Sequence, residues 1–476
     1  PGTIYNWTND NTAIGLAASG SGDIASFTAT NATNAPVTAT ITVTPVTSPT
    51  TGAECTGASI TFTITVNPVP SVNAVSNQTF CNGSSVPAVA FTGNTPGAVY
   101  TWSRTNEAIG SVATSGTGNV PAFTATNAGT TPLTSTFTVV ASFTNNGVTC
   151  TGTPIQFTIT VNPTPTVAAV ASQTVCNGSA TTAITFSGTV PGTVFNWTNS
   201  APSIGLAASG SGDIASFTAI NNGGAPVIAT ITVTPTFTSG IACAGTPIQF
   251  TITVNPTAQV NQPANVSTCG GVTTTVTFTT TTPGTTYTWT NNNTAIGLGA
   301  SGSGNISFVA TTVAVSTSAT ITVTPNYTNN GVSCPGTPKV FTITVDPLPT
   351  VTVTGGAGQV LCSGESTAAI TFGGTIAGTV FNWTNNNTSI GLAASGTGNI
   401  ASFVTTNTSA NIQTATITVT PVLNTAGGSC PGTPATVTIT VYPRPIVNVG
   451  VDQVICQNQV ATLTATLGGG ATGGTW

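Results

Sequence analysis

Threonine alternates with isoleucine, valine and phenylalanine through much of this chain, as in TTAITF (181–186), ATITVTP (229–235) and IQFTITV (248–254). An apolar residue at every second position marks a half-buried strand, because successive side chains point to opposite faces. Over residues 164–256 the same reading takes in TVAAV, TVFNWTN (193–199) and ASFTAI (215–220), all rich in β-branched and aromatic residues. Turn formers separate these runs at 190–192, 209–213 and 221–224, where glycine supplies the positive φ of tight turns. Nothing has the length and 3.6-residue period of a helix. Six or seven short strands, with turns about every ten residues and a Trp on the third strand, predict an all-β fold. The type is a two-sheet antiparallel sandwich like an immunoglobulin domain. Ile and Val face the core, and threonines carry solubility in place of charge.

The pattern recurs. Tryptophan falls at Trp7, Trp102, Trp197, Trp289, Trp383 and Trp476, at intervals of 95, 95, 92, 94 and 93 residues. FTITVNP begins at Phe62, Phe157 and Phe250, FTITVDP at Phe341 and VTITVYP at Val437. A period above 90 residues matches a whole small domain and exceeds that of a solenoid. Cutting after the prolines gives complete units at 70–163, 164–256, 257–348 and 349–443, with partial units at 1–69 and 444–476. Trp7, Trp102, Trp197, Trp289 and Trp383 are expected in the cores of their units, since each sits inside a central strand. Proline-stiffened linkers of the NPTPT type predict an elongated, semi-rigid array. Starting and stopping in mid-unit reads most simply as a window onto a longer polypeptide. Completion of a sandwich between successive chains by strand complementation is the alternative.

Composition narrows the function. Only 11 of 476 residues are charged, 3 of them basic, which is too few for the cationic patches that nucleic acid or anionic membrane require. No 18-residue apolar run offers a membrane span. The chain has no histidine, so it lacks the usual general base and the commonest metal ligand. No catalytic residue, cofactor site or metal site is expected, and an enzyme is not.

Ten cysteines keep fixed places in the repeat: Cys55, Cys150, Cys243, Cys334 and Cys430 before the last strand, and Cys81, Cys176, Cys269, Cys362 and Cys456 before the second. That regularity implies disulfides and an oxidising, extracytoplasmic setting. Two connectivities are open. Pairing within units joins Cys81 to Cys150, Cys176 to Cys243, Cys269 to Cys334 and Cys362 to Cys430. Pairing across boundaries, such as Cys55 to Cys81, uses all ten. The first is preferred because the boundary stretch would have to double back, yet it needs two loops from opposite sandwich ends brought within about 7 Å.

Other motifs have bland readings. SGSGDI at 19–24 and 209–214, with SGTGNV and SGSGNI or SGTGNI elsewhere, lacks the Lys and helix of a phosphate loop. Asp23 and Asp213 are replaced by Asn119, Asn305 and Asn399 in other copies, which disfavours calcium and favours an Asx-stabilised turn. Threonine rows such as TATIT are ordinary solvated strand faces. A single Lys339 rules out lysine isopeptide crosslinks as a general device.

The ordered set CNGSATTAITFSGTVPGTVFNWTN (176–199), IGLAASGSGDIASFTA (204–219), ATITVTP and CAGTPIQFTITVNPT (243–257) resembles the PKD-like repeats of very large secreted proteins of gliding Bacteroidota. The resemblance covers residues 1–443, and 444–476 looks like a divergent variety. It implies type IX secretion, an extracellular, cell-surface location, and a role in adhesion, gliding motility or filaments. Residue chemistry adds a non-enzymatic fibre or stalk partnered by itself or by neighbouring copies. Repeats that themselves bind surface polysaccharide are the second reading, distinguished by exposed aligned aromatics.

Overall fold

The computed structural model describes residues 2–47 and 52–474, so Trp476 lies outside the described residues. The chain divides into two compact bodies, Pro1–Ile220 with Val227–Thr253, and Asn221–Pro226 with Val254–Trp476.

In the second body, residues 257–348 show how the repeat is built. A closing strand, Lys339–Asp346, pairs antiparallel with a long strand, Thr317–Asn329, which pairs in turn with the Trp strand Thr286–Asn291. The Trp strand carries the short strand Ser301–Ser303 on its other side. Beyond Val323 the long strand continues past the closing strand and pairs with a hairpin strand, Val332–Pro335. A smaller sheet of Thr273–Val276 and Ile306–Val309 forms the second layer. Between the layers lie Trp289, Ile296, Ile306, Ile321, Val323, Phe341 and Ile343, with Phe278 edge-on to Phe341. Ala319, Ile321 and Val323 are buried while the intervening threonines are half-exposed, which is the period-2 pattern of the sequence. On the outer face hydroxyls pair across strands, as in Ser318–Thr344 at 2.8 Å and Thr134–Thr160 at 2.9 Å in the first body. Each repeat is therefore a β-sandwich, in tandem with others of its kind.

Two features depart from the expected layout. A strand ending in cysteine, Val266–Cys269, runs parallel to the closing strand, so the sheet is mixed and not wholly antiparallel. Its counterparts Gln78–Cys81 and Gln359–Cys362 do the same. Conversely, TVAAV is not a strand, and 180–186 and 214–220 form no continuous ladder, meeting at the isolated bridges Ala180↔Thr218 and Ile184↔Ile214 and through the Thr181 N–H bond to the Phe217 carbonyl. Just past Ile184 the Phe186 N–H donates to the Asp213 carboxylate, at 2.8 Å.

The two ends differ from the middle. The opening repeat has a five-stranded sheet of Thr3–Asn9, Ser19–Ser21, Val37–Thr47, Cys55–Thr56 and Ile60–Val66. Phe62 on it is 44% exposed, whereas Phe157, its counterpart in the next repeat, is 1% exposed. The last stretch forms a hairpin, Ile446–Asn448 with Thr466–Gly468, and Val451 and Val454 beyond it are 86% and 101% exposed.

Candidate functional site

Trp7, Trp102, Trp197, Trp289 and Trp383 are all buried, each on a strand paired with a Ser-Gly-Ser or Ser-Gly-Thr strand. The glycine beneath each indole cannot be replaced without movement: a Cβ at Gly20, Gly116, Gly210, Gly302 or Gly396 would fall 2.2 to 2.5 Å from the indole Cζ2. The SGSG motif is thus the floor of the Trp pocket. Its Asp or Asn does not close a local Asx turn. Asp213, Asn119, Asn305 and Asn399 accept instead from the N–H groups of Phe186, Phe91, Phe278 and Phe372, 27 or 28 residues earlier. The indole N–H of Trp197 donates to the Gly212 carbonyl at 3.1 Å, while those of Trp7, Trp102, Trp289 and Trp383 have no partner among the described residues.

After the Trp, a buried Asn donates to a loop carbonyl, as Asn291 does to Leu298 at 2.9 Å. Arg104 replaces it in one repeat. Its guanidinium donates to the carbonyls of Ala113, Gly110, Asn106 and Val112, and burial lowers its pKa while nearby Glu107 opposes that. This cation serves as packing and is closed off from any ligand.

What the fold does set up is a joint where one sandwich meets the next within a body. The closing strand ends in Asn or Asp just before the proline, and that side chain meets the turn of the following long-strand hairpin. In the first body Asn67 and Asn145 exchange bonds, with Asn145 Nδ2 donating to Asn67 Oδ1 at 2.9 Å. Asn162, fully buried, donates to the carbonyls of Ser239 at 2.8 Å and Ile241 at 3.3 Å. In the second body Asn255 pairs with Asn329 as Asn67 does with Asn145. Asp346 takes a different partner set, accepting from the hydroxyls of Ser267 and Ser316, each at 2.6 Å, and of Thr425. Burial pushes its carboxyl up, but the three hydroxyl donors more than offset that and hold it below the usual carboxylate range.

Beside these contacts lie the cysteines. Cys81 is bonded to Cys243 and Cys269 to Cys430, with Cα atoms 5.5 Å apart in each, and Cys176 and Cys334 are also disulfide-bonded. The pairing preferred from sequence, Cys81 with Cys150 and its analogues, is not the one found. Nor is Cys55 with Cys81. The reason is strand length. Cys81 lies level with Asn162, at the end where the closing strand meets Leu133, while Cys150 lies opposite Phe143 at the far end of the long strand. Ten residues of strand separate those levels, about 33 Å, far beyond disulfide reach. Each cysteine faces a different neighbour. Cys55, Cys150, Cys362 and Cys456 are free, Cys150 half-buried and the others exposed. No cluster of three or more His, Cys, Asp or Glu side chains able to hold a metal occurs among the described residues.

The sequence reading missed the joint residues Asn67, Asn162, Asn255 and Asp346. Their signal was the recurrent N or D of FTITVNP, there taken only as the start of a linker.

A model of the PKD-like domain matches residues 173–258 and 359–445, two of the repeats. No curated protein matches. Among solved structures, this chain is similar to Sidekick-1 immunoglobulin domains 1–5, with 13% identity, 93% of each chain covered and a TM-score of 0.29. It is also similar to mouse Cadherin-23 EC22–24, at 12% identity, 59% of this chain and 99% of that one, TM-score 0.30. A third is the human Desmocollin-1 ectodomain, at 12% identity, 85% of each chain, TM-score 0.24. With TM-scores this low the superpositions carry no argument, and the fold rests on the strand pairing described above.

Proposed function

We propose that this chain is the structural repeat region of a secreted cell-surface adhesin or extracellular filament, a disulfide-stapled stalk for adhesion or gliding motility that catalyses nothing. Its repeats are those cut at 1–69, 70–163, 164–256, 257–348, 349–443 and 444–476. The observation that carries this reading is the Cys81–Cys243 bond, which ties consecutive repeats instead of closing one. A bond within a domain stabilises that domain, whereas a bond between domains resists their separation. That is the need of a part under tension. The resemblance to PKD-like repeats supports export by the type IX route, and three disulfide-bonded pairs of positions suit an oxidising exterior. Burial of the tryptophans counts against polysaccharide platforms, since it leaves only scattered exposed aromatics such as Tyr5 and Tyr442.

Single-molecule stretching tests the load-bearing role. The Cys81–Cys243 and Cys269–Cys430 bonds hide spans of 162 and 161 residues from force, so reductant, which cuts both, should release about 1,100 Å of additional contour length. Equal extension in oxidised and reduced protein sinks the reading.

A further inference from the structure

The cysteines are spaced so that an unfolded chain would pair them wrongly. Cys243 and Cys269 lie 26 residues apart, yet each is bonded elsewhere. Cys243 joins Cys81, 162 residues back, and Cys269 joins Cys430, 161 residues on. The entropy lost on closing a loop grows with the logarithm of its length, so in an unfolded chain the short loop closes about fifteenfold more often than either native one. A single Cys243–Cys269 bond would take one thiol from each native pair.

Folding reverses that preference. Cys81 ends a strand, Gln78–Cys81, whose place is set by pairing with Ile159–Asn162, 81 positions later in the chain. Cys243 is placed by the hairpin of the next repeat, where it stands opposite Phe237. The two meet with Cα atoms 5.5 Å apart, beside the bonds that Asn162 gives to the carbonyls of Ser239 and Ile241. Gly240 in that hairpin lies against the cysteine strand, since a Cβ on it would fall 3.4 Å from Thr79 Oγ1. At the Cys269–Cys430 joint the approach is closer still: a Cβ on Gly427 would fall 2.3 Å from the Cβ of Ser267. Segments of two finished sandwiches must therefore be in place before either thiol faces its partner.

We propose that each joint is the template for its own disulfide: consecutive repeats fold and dock while their thiols are reduced, and oxidation follows. The reaction partner this requires is a disulfide donor that acts on folded protein. The Cys81 thiolate attacks a low-molecular-weight disulfide, releasing one thiolate and leaving a mixed disulfide. The Cys243 thiolate then attacks the Cys81 sulfur and releases the second, so two protein thiols are oxidised and one small disulfide is reduced. Native pairing survives only where this exchange is slower than folding of both repeats. The inference goes beyond the stalk reading, because the order of events holds whether or not the staples bear load.

The test compares two orders of events on the whole reduced chain. In one, the chain is folded under reductant, checked by the fluorescence of its buried tryptophans, and then given glutathione disulfide. In the other, the same oxidant is added in concentrated guanidinium chloride. Remaining thiols are alkylated, and crosslinked peptides are mapped by mass spectrometry. Folding first should give Cys81–Cys243 and Cys269–Cys430. Oxidation first should give Cys243–Cys269 in about fifteenfold excess over Cys81–Cys243. Trp197→Ala, oxidised in just enough denaturant to unfold repeat 164–256, should lose Cys81–Cys243 and keep Cys269–Cys430, and Trp383→Ala should do the reverse. Native pairs in equal yield by both routes overturn the proposal. So does Cys243–Cys269 as the main product of the folded chain, Cys81–Cys243 formed at the wild-type rate while repeat 164–256 is unfolded, or a reduced chain that does not fold.

Discussion

At the end of its closing strand the first body places Asn162 and the second places Asp346, both almost fully buried and both next to a disulfide. The amide donates across to backbone carbonyls of the following hairpin and leaves its own Oδ1 without a partner. The carboxylate has no N–H to give and is served by hydroxyls, two from its own repeat and one from the next. Pro132 stands where Ser316 does, so the first joint lacks one of those hydroxyls by sequence. One backbone frame thus accepts opposite hydrogen-bond polarity, provided that the surrounding side chains change with it.

The largest effect should leave this contrast untouched. Trp102→Ala and Trp289→Ala remove equivalent buried indoles from the two bodies, and each should cost about 3–5 kcal/mol in denaturant unfolding of its own sandwich. A large inequality between them would mean that the joints feed back on the cores. Cutting the staples sharpens the comparison next. The loop-entropy model allows each disulfide up to about 5 kcal/mol for a separation near 160 residues. In practice the loss should fall on the joint. Cys81→Ser should speed proteolysis near Pro163 about tenfold more than Cys269→Ser speeds it near Pro347, since Asp346 keeps three hydroxyl bonds after its staple is gone.

Asp346→Ala strands the hydroxyls of Ser267 and Ser316 and should destabilise its repeat by about 2–3 kcal/mol, against about 1 kcal/mol for Asn162→Ala. Acid should mimic the first change alone. A carboxyl held below its ordinary value contributes stability that is fully present above the unfolded pKa, about 4, and is lost as pH falls through the lower folded one. The midpoint of the repeat at 257–348 should therefore fall in strong acid in the wild type and not in Asp346→Asn, as followed by thermal melts.

How far the sequence reveals all this follows from what each signal measures. Alternation of Thr with Ile and Val reports which face is buried, so the long and closing strands around Ile321 and Ile343 were legible. QTFC and its kin are too short and too mixed to show a period, and nothing in one dimension marks a parallel edge strand. The recurrence of cysteine at two places in the repeat was plain. Its connectivity depended on the distance between the ends of one sandwich, which only the 13-residue length of the long strand fixes. Buried Arg104 shows the opposite limit: an isolated cation in a nearly uncharged chain looks functional, yet its contacts are carbonyls of its own loop.

The smallest effect probes the idle acceptor. Where the residue at the hairpin turn is asparagine, as at Asn145 and Asn329, its amide donates back to the joint Asn, at 2.9 Å in both places. At the Asn162 joint that place is held by Ser239, which offers its carbonyl and leaves Asn162 Oδ1 bare. Ser239→Asn should supply the missing donor and stabilise this joint by about 0.5–1.5 kcal/mol, the usual net worth of one buried hydrogen bond. Asn329→Ser should remove the equivalent bond by a similar amount. Measuring Ser239→Asn in the Cys81→Ser background, where the staple of that joint no longer masks small changes, gives the cleanest reading. If Ser239→Asn leaves proteolysis at Pro163 unchanged there, the amide exchange seen at the other joints does not contribute to holding them.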